Sequence, residues 1–321
     1  MNKRVDYIDL IKGLTIWGVV WFHTAHLTWL TALLVNSTFF FLSGFFFKRK
    51  PFKTFVYEKV KSILVPFLFF YLLSYPYRII EYYWDNRTLV NFNWDCIFDV
   101  FKFVPYHDYL FVNVPLWFLV CLFSVQLLYY FLSFFDKRLI AIFALLCLGL
   151  EEVFLSIPSF FMVNVAFYYI GFFALGNLVG KSWIEKLKDV RFRKVSLFIS
   201  ALLFVALFIP IDGLSGWWYD TAYHVKLFMT FFIVMTVASW FNEKQYLSMI
   251  RFYGENSLII LGFHLIPLIV LMRINYAIFR ECTPFMGFIQ SVIVMAVMYV
   301  VILFCNRYIP FLVGKKGTRK Y

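Results

Sequence analysis

The sequence predicts an all-α, polytopic membrane helix bundle of about ten transmembrane helices with both termini in the cytoplasm. Three observations carry this. Of the 321 residues 63% are hydrophobic, 23% aromatic and only 15% charged, and mean hydropathy is +0.78, outside the range of soluble globular domains. The apolar residues fall in ten runs of roughly 17–25 residues, at 7–28, 30–47, 63–82, 114–135, 139–157, 163–180, 195–211, 223–241, 258–274 and 287–311. With the N-terminus inside, the segments 1–6, 48–62, 136–138, 181–194, 242–257 and 312–321 hold most of the 30 Lys and Arg, the bias that sets orientation. The net charge of +12 is therefore read as orientation, with no nucleic-acid partner expected. The chain is one integral membrane domain, 1–321, with no soluble domain. Its first apolar run has no small-residue cleavage site, so that span is expected to stay. The five Cys show no CxxC or metal-ligand spacing, and no metal is expected.

Span one, RVDYIDLIKGLTIWGVVWFH, carries Asp9, Lys12 and His23, with His26 just beyond. At ~100° per residue the first three fall within an arc of about 60°, Lys12 and His23 about 20° apart and roughly 16 Å apart along the axis. Ionisable groups at that depth are costly against lipid, so the stripe should face protein or a wet cavity. The plainer reading is a Lys that snorkels to the interface and a His bonded to a neighbouring helix.

Span two ends FFFLSGFFF, where Ser43 and Gly44 let a backbone or a ligand come close. The basic segment that follows, with Lys53, Lys59 and Lys61, suits lipid headgroups or the phosphates of a soluble anion. The outer segment 83–113 mixes aromatics with Asp95, Asp99, His107 and Asp108, a composition for gripping sugar rings or for an interfacial aromatic belt. Trp117 opens span four where an indole normally anchors. Glu151 and Glu152 lie in the outer part of span five, or just past its end in water. KSWIEKLKDVRFRK, 181–194, reads as a cationic interfacial helix, and DGLSGWWYDTAYH, 212–224, as an outer loop. Asn256 suits an N-cap opening span nine, and His264 follows two turns deeper as a second buried imidazole.

Taken in order, YIDLIKG with VVWFH, FFFLSGFFF, KSILVPF, PLWFL, GFFALGNLVGK and YGENSLIILGFH resemble the acyltransferase-3 family, which includes fucose O-acetylase-like and polysaccharide O-acetyltransferases. The resemblance implies a ten-helix bundle in a bacterial cell membrane that passes an acyl group, usually acetyl, from cytoplasmic acetyl-CoA to a hydroxyl of a cell-surface or lipid-linked glycan. The family's basic residue and histidine of the first helix correspond to Lys12 and His23. Where members often carry Arg-x-x-Arg before the third helix, this chain has Lys59 and Ser62, with Lys61 as the substitute cation.

These readings meet in a mechanism: Lys12, Ser43, Lys59 and Lys61 hold the donor, and His23 takes the proton of the attacking hydroxyl while an Asp or Glu holds its tautomer. Asp9, Trp117, Glu151, Glu152, Asn256 and His264 are the candidates for orienting the substrates. Both direct transfer and an acyl-enzyme on His23 or Ser43 fit. A transporter or flippase of lipid-linked saccharide is the rival reading, marked by internal repeats and discontinuous helices; the ten spans show no persuasive repeat. A non-catalytic sensor or scaffold would leave the span-one stripe without a role.

Overall fold

The computed structural model describes residues 6–24, 36–101, 112–241, 247–280 and 283–315. They form helices, with no strand among them. In chain order these are α1 Asp6–Phe22, α2 Asn36–Phe45, α3 Phe52–Lys59, α4 Val65–Asn86, α5 Trp117–Leu132, α6 Lys137–Gly149 and α7 Glu151–Ser156. There follow α8 Val163–Lys186, α9 Val190–Ala206, α10 Trp217–Trp240, α11 Ser248–Glu255, α12 Ser257–Phe263, α13 Leu265–Phe279 and α14 Pro284–Tyr308. His26, His107 and Asp108 lie outside the described residues.

Among the described residues, five helical runs are long and apolar enough to cross a membrane: Phe52–Asn86, Val114–Leu132, Phe160–Gly180, Trp217–Trp240 and Pro284–Tyr308. α12 and α13, bent by 49°, make a sixth if they are one span. The first two predicted spans extend into residues outside the description, and predicted span five divides after Gly149 into α6 and α7.

Three segments between predicted spans are largely exposed and mostly helical, continuous with the neighbouring helices. The basic stretch after Pro51 is already helical at Phe52 and continues through a π turn, Val60–Leu64, into α4. Pro66 offers no N–H to the turn before it, and widening that turn relieves the clash of its ring with the preceding carbonyl. At 181–194, α8 runs on to Lys186, and the Asp189 carboxylate accepts from the N–H groups of Arg191 and Phe192 to cap α9. In 212–224, Gly216 at φ +54° turns the chain into α10, so Trp217 to His224 are helical.

Two helix pairs pack backbone to backbone. A Cβ on Gly44 of α2 would collide with the Phe173 carbonyl of α8, and one on Gly176 of α8 with that of Phe41. Gly13 of α1 meets the Ile250 carbonyl of α11 in the same way, and Gly254 that of Asp9. In a bilayer, where the hydrophobic effect does not hold helices together, such close approach lets dispersion do so. It leaves Ile8, Ile11, Ile16 and Val20 of α1 buried in the bundle. At one end, Arg273 of α13 grips Asp85 of α4 through both guanidinium nitrogens, at 2.5 and 2.7 Å, and reaches Glu81 at 3.2 Å. That clamp ties α13 of the bent pair to α4.

Candidate functional site

α1 stands among α2, α10, α11, α12 and α14, and its polar stripe opens into a cavity of about 200 Å³. Lys12, Ser43, Ser62, Ser257, Trp117 and His23 supply its polar lining. Ile16, Val19, Leu119, Leu122, Leu258 and Leu261 supply most of the rest. Lys12 and His23 thus face one protein-walled space, as groups at that depth must if they are to avoid lipid. A second cavity, about 170 Å³, shares Lys12 and Ser43 with the first and adds Lys59 and Gln126. Together the two make a path that is cationic at one end and apolar along most of its length.

At the cationic end, Lys12 pairs with the buried Asp9 at 3.6 Å and sits 5.2 Å above the Phe46 ring. Gln126 is buried, and its Oε1 has no hydrogen-bond partner among the described residues. A buried acceptor left in that state favours a polar occupant. Ser43 faces this path because its neighbour Gly44 turns toward α8, so each residue of the pair has one of the two roles expected of it.

At the other end, the imidazoles of His23 and His264 lie 5.4 Å apart between ring centroids. The 49° bend falls at His264, between α12 and α13, and the bend carries its ring toward α1. His264 is fully buried, and its Nδ1 is 2.8 Å from the Ile260 carbonyl and 3.2 Å from that of Leu261. A carbonyl only accepts, so Nδ1 carries the proton and Nε2 presents a lone pair. That Nε2 has no partner among the described residues. The side chain expected beside His23 was a carboxylate; the described neighbour is this second imidazole. Among the described residues no three His, Cys, Asp or Glu side chains come together in a metal-binding group.

The remaining predicted residues divide. Trp117 is 9% exposed and packs against Tyr169 at 5.6 Å, so it walls the cavity in place of anchoring at a lipid interface. Lys61 is exposed, lies over the Phe311 ring at 5.1 Å and lines neither cavity. Of the pair that stands where relatives carry two arginines, Ser62 lines the first cavity and Lys59 the second. Asn256 occupies the N-cap position of α12 but makes no capping bond. Its Nδ2 donates to the Phe252 carbonyl at 2.7 Å, and its Oδ1 accepts from Asn306 at 2.9 Å. Glu151 and Glu152 are the first two residues of α7, and a further cavity, of about 450 Å³, is lined by Leu150, Val153, Asp220 and His224 among others. That cavity shares no residue with the other two.

Sequence reading missed Gln126 and gave Ser257 no part in the site. An amide within the apolar run SVQLL was the available signal for the first; only the tertiary arrangement shows the second.

The acyltransferase-3 family model, described as an acyltransferase domain, matches residues 5–307, and the chain belongs to that family. Comparison with curated proteins and with solved structures gives no match. The protein is an acyltransferase with several apolar, membrane-length helices.

Proposed function

We propose that the chain is a ten-span O-acyltransferase of the bacterial cell membrane, with both termini cytoplasmic, that moves an acetyl group from cytoplasmic acetyl-CoA to a hydroxyl of a cell-surface or lipid-linked glycan. The observation that supports it most is the single cavity lined by Lys12, Ser43 and His23, with His264 against His23. The phosphates of the donor would lie by Lys12 and Lys59, which the Lys and Arg bias puts at the cytoplasmic side. The pantetheine arm would run along the apolar walls toward His23. His23 takes the acceptor's hydroxyl proton as the oxygen bonds to the thioester carbonyl carbon. The carbon–sulfur bond then breaks, and the leaving thiolate takes the proton from the imidazolium. His264, its own proton fixed on Nδ1 by two carbonyls, would accept an N–H of His23 through Nε2 and so hold the tautomer whose other nitrogen is the base.

Purified protein in lipid vesicles, given radiolabelled acetyl-CoA and a panel of glycans, is expected to place label on a glycan. Label that stays on CoA with every glycan, or glycan that crosses the membrane unlabelled, would overturn the assignment.

A further inference from the structure

The family match ends at residue 307, yet the chain that follows is packed against the site. After α14 it turns back on itself. The N–H of Lys315 donates to the Pro310 carbonyl at 2.9 Å, and Gly314 sits at φ +74°, a conformation that suits glycine. Val313 is 1% exposed. A Cβ on Gly314 would lie 3.1 Å from Leu258 Cδ2 and 3.3 Å from both Pro66 Cγ and the Ser62 carbonyl. Leu258 and Ser62 are wall residues of the cavity that holds Lys12 and His23.

The side chain of Lys315 makes the second attachment. Its Nζ donates to Asn256 Oδ1, the oxygen that also accepts from Asn306 of α14. Asn256 is the residue at which α11 ends and α12 begins, and its own carbonyl accepts from the N–H of Ile259 at 2.9 Å. The next two residues, Ser257 and Leu258, line the cavity. The third attachment is Phe311, whose ring lies under Lys61 of the π turn. The segment therefore joins the π turn, the start of α4, the α11–α12 break and α14 at the back of one cavity wall.

We propose that residues 309–315 form a strap that sets the width of the donor-binding cavity, with Lys315 a positioning residue that acts through Asn256 on the wall formed by Ser257 and Leu258. The inference rests on the donor reading of that cavity given above. Lys315 does not line the cavity, so its loss should loosen the wall without removing a reacting group. A charge-assisted hydrogen bond is also the strongest tie in the strap.

The test uses the full chain in lipid vesicles, with Lys315→Met and Lys315→Arg. Lys315→Met is expected to raise KM for acetyl-CoA by about 3- to 10-fold, the scale of one lost hydrogen bond. kcat and KM for the glycan should stay within about twofold, and Lys315→Arg, which keeps the cationic donor, should restore the donor KM. An unchanged donor KM in Lys315→Met would overturn the proposal, as would an equal fall in kcat in both variants. Hydrogen exchange at the amides of 257–263 supplies a readout that needs no activity. It should quicken in Lys315→Met and return to the wild-type rate in Lys315→Arg, and unaltered exchange contradicts the strap. If the wild-type protein transfers no acyl group from any donor, the proposed function falls, and the exchange measurement alone decides the strap.

Discussion

His23→Gln is expected to lower kcat for acyl transfer by about 10²–10⁴-fold, the usual contribution of a positioned general base, with donor KM little changed. Glutamine keeps the approximate size and a hydrogen-bonding end but cannot take up a proton at neutral pH, so the loss would reflect chemistry more than packing. His264→Gln offers the internal comparison. Its amide N–H can still donate to the Ile260 carbonyl that Nδ1 now reaches at 2.8 Å, and its side-chain oxygen supplies an acceptor for the proposed contact with His23. It should therefore retain more activity than His23→Gln. Steady-state kinetics with labelled acetyl-CoA, at matched protein level in vesicles, checks both. Full activity in His23→Gln would remove the imidazole from the mechanism.

The second large effect is on donor binding. Lys12→Met removes the cation at the junction of the two cavities and should raise KM for acetyl-CoA by roughly 10–150-fold, the equivalent of about 1.5–3 kcal/mol for a hydrogen bond to a charged group. Part of any loss could come from Asp9, which is buried and pairs with Lys12 at 3.6 Å; removing that cation weakens the compensation of a buried carboxylate. The double variant Asp9→Asn with Lys12→Met separates the two causes. If the phosphate contact dominates, the double variant keeps the high donor KM while its thermal stability recovers. A double variant with wild-type donor KM would assign the whole effect to the abandoned carboxylate.

The parts of this fold that a linear sequence makes plain are those set by local chemistry. The long apolar runs 114–135 and 287–311 match helices Val114–Leu132 and Pro284–Tyr308 to within three residues, because hydropathy is a property of the run itself. The angular placement of Lys12 and His23 was legible for the same reason: helix periodicity is local. What turned on tertiary contact was not. FFFLSGFFF left open whether Ser43 and Gly44 admit a helix or a ligand, and the answer depended on Gly176, more than 130 residues away in the chain. The bend at His264 did have a local signal that went unused: Pro267 has no N–H to give the Phe263 carbonyl, and Gly262 stands just before the break.

The central claim is that Lys12, Ser43 and His23 share one water-reachable path that receives the donor. Ser43→Cys tests it most directly, because Ser43 borders both cavities and its neighbour Gly44 is packed shut against α8. With the parent protein as the baseline for its own cysteines, a charged, membrane-impermeant thiol reagent applied from the cytoplasmic side should label Ser43→Cys, and added CoA should slow that labelling. A Ser43→Cys thiol that no aqueous reagent reaches, or one labelled at the same rate with and without CoA, would contradict the account.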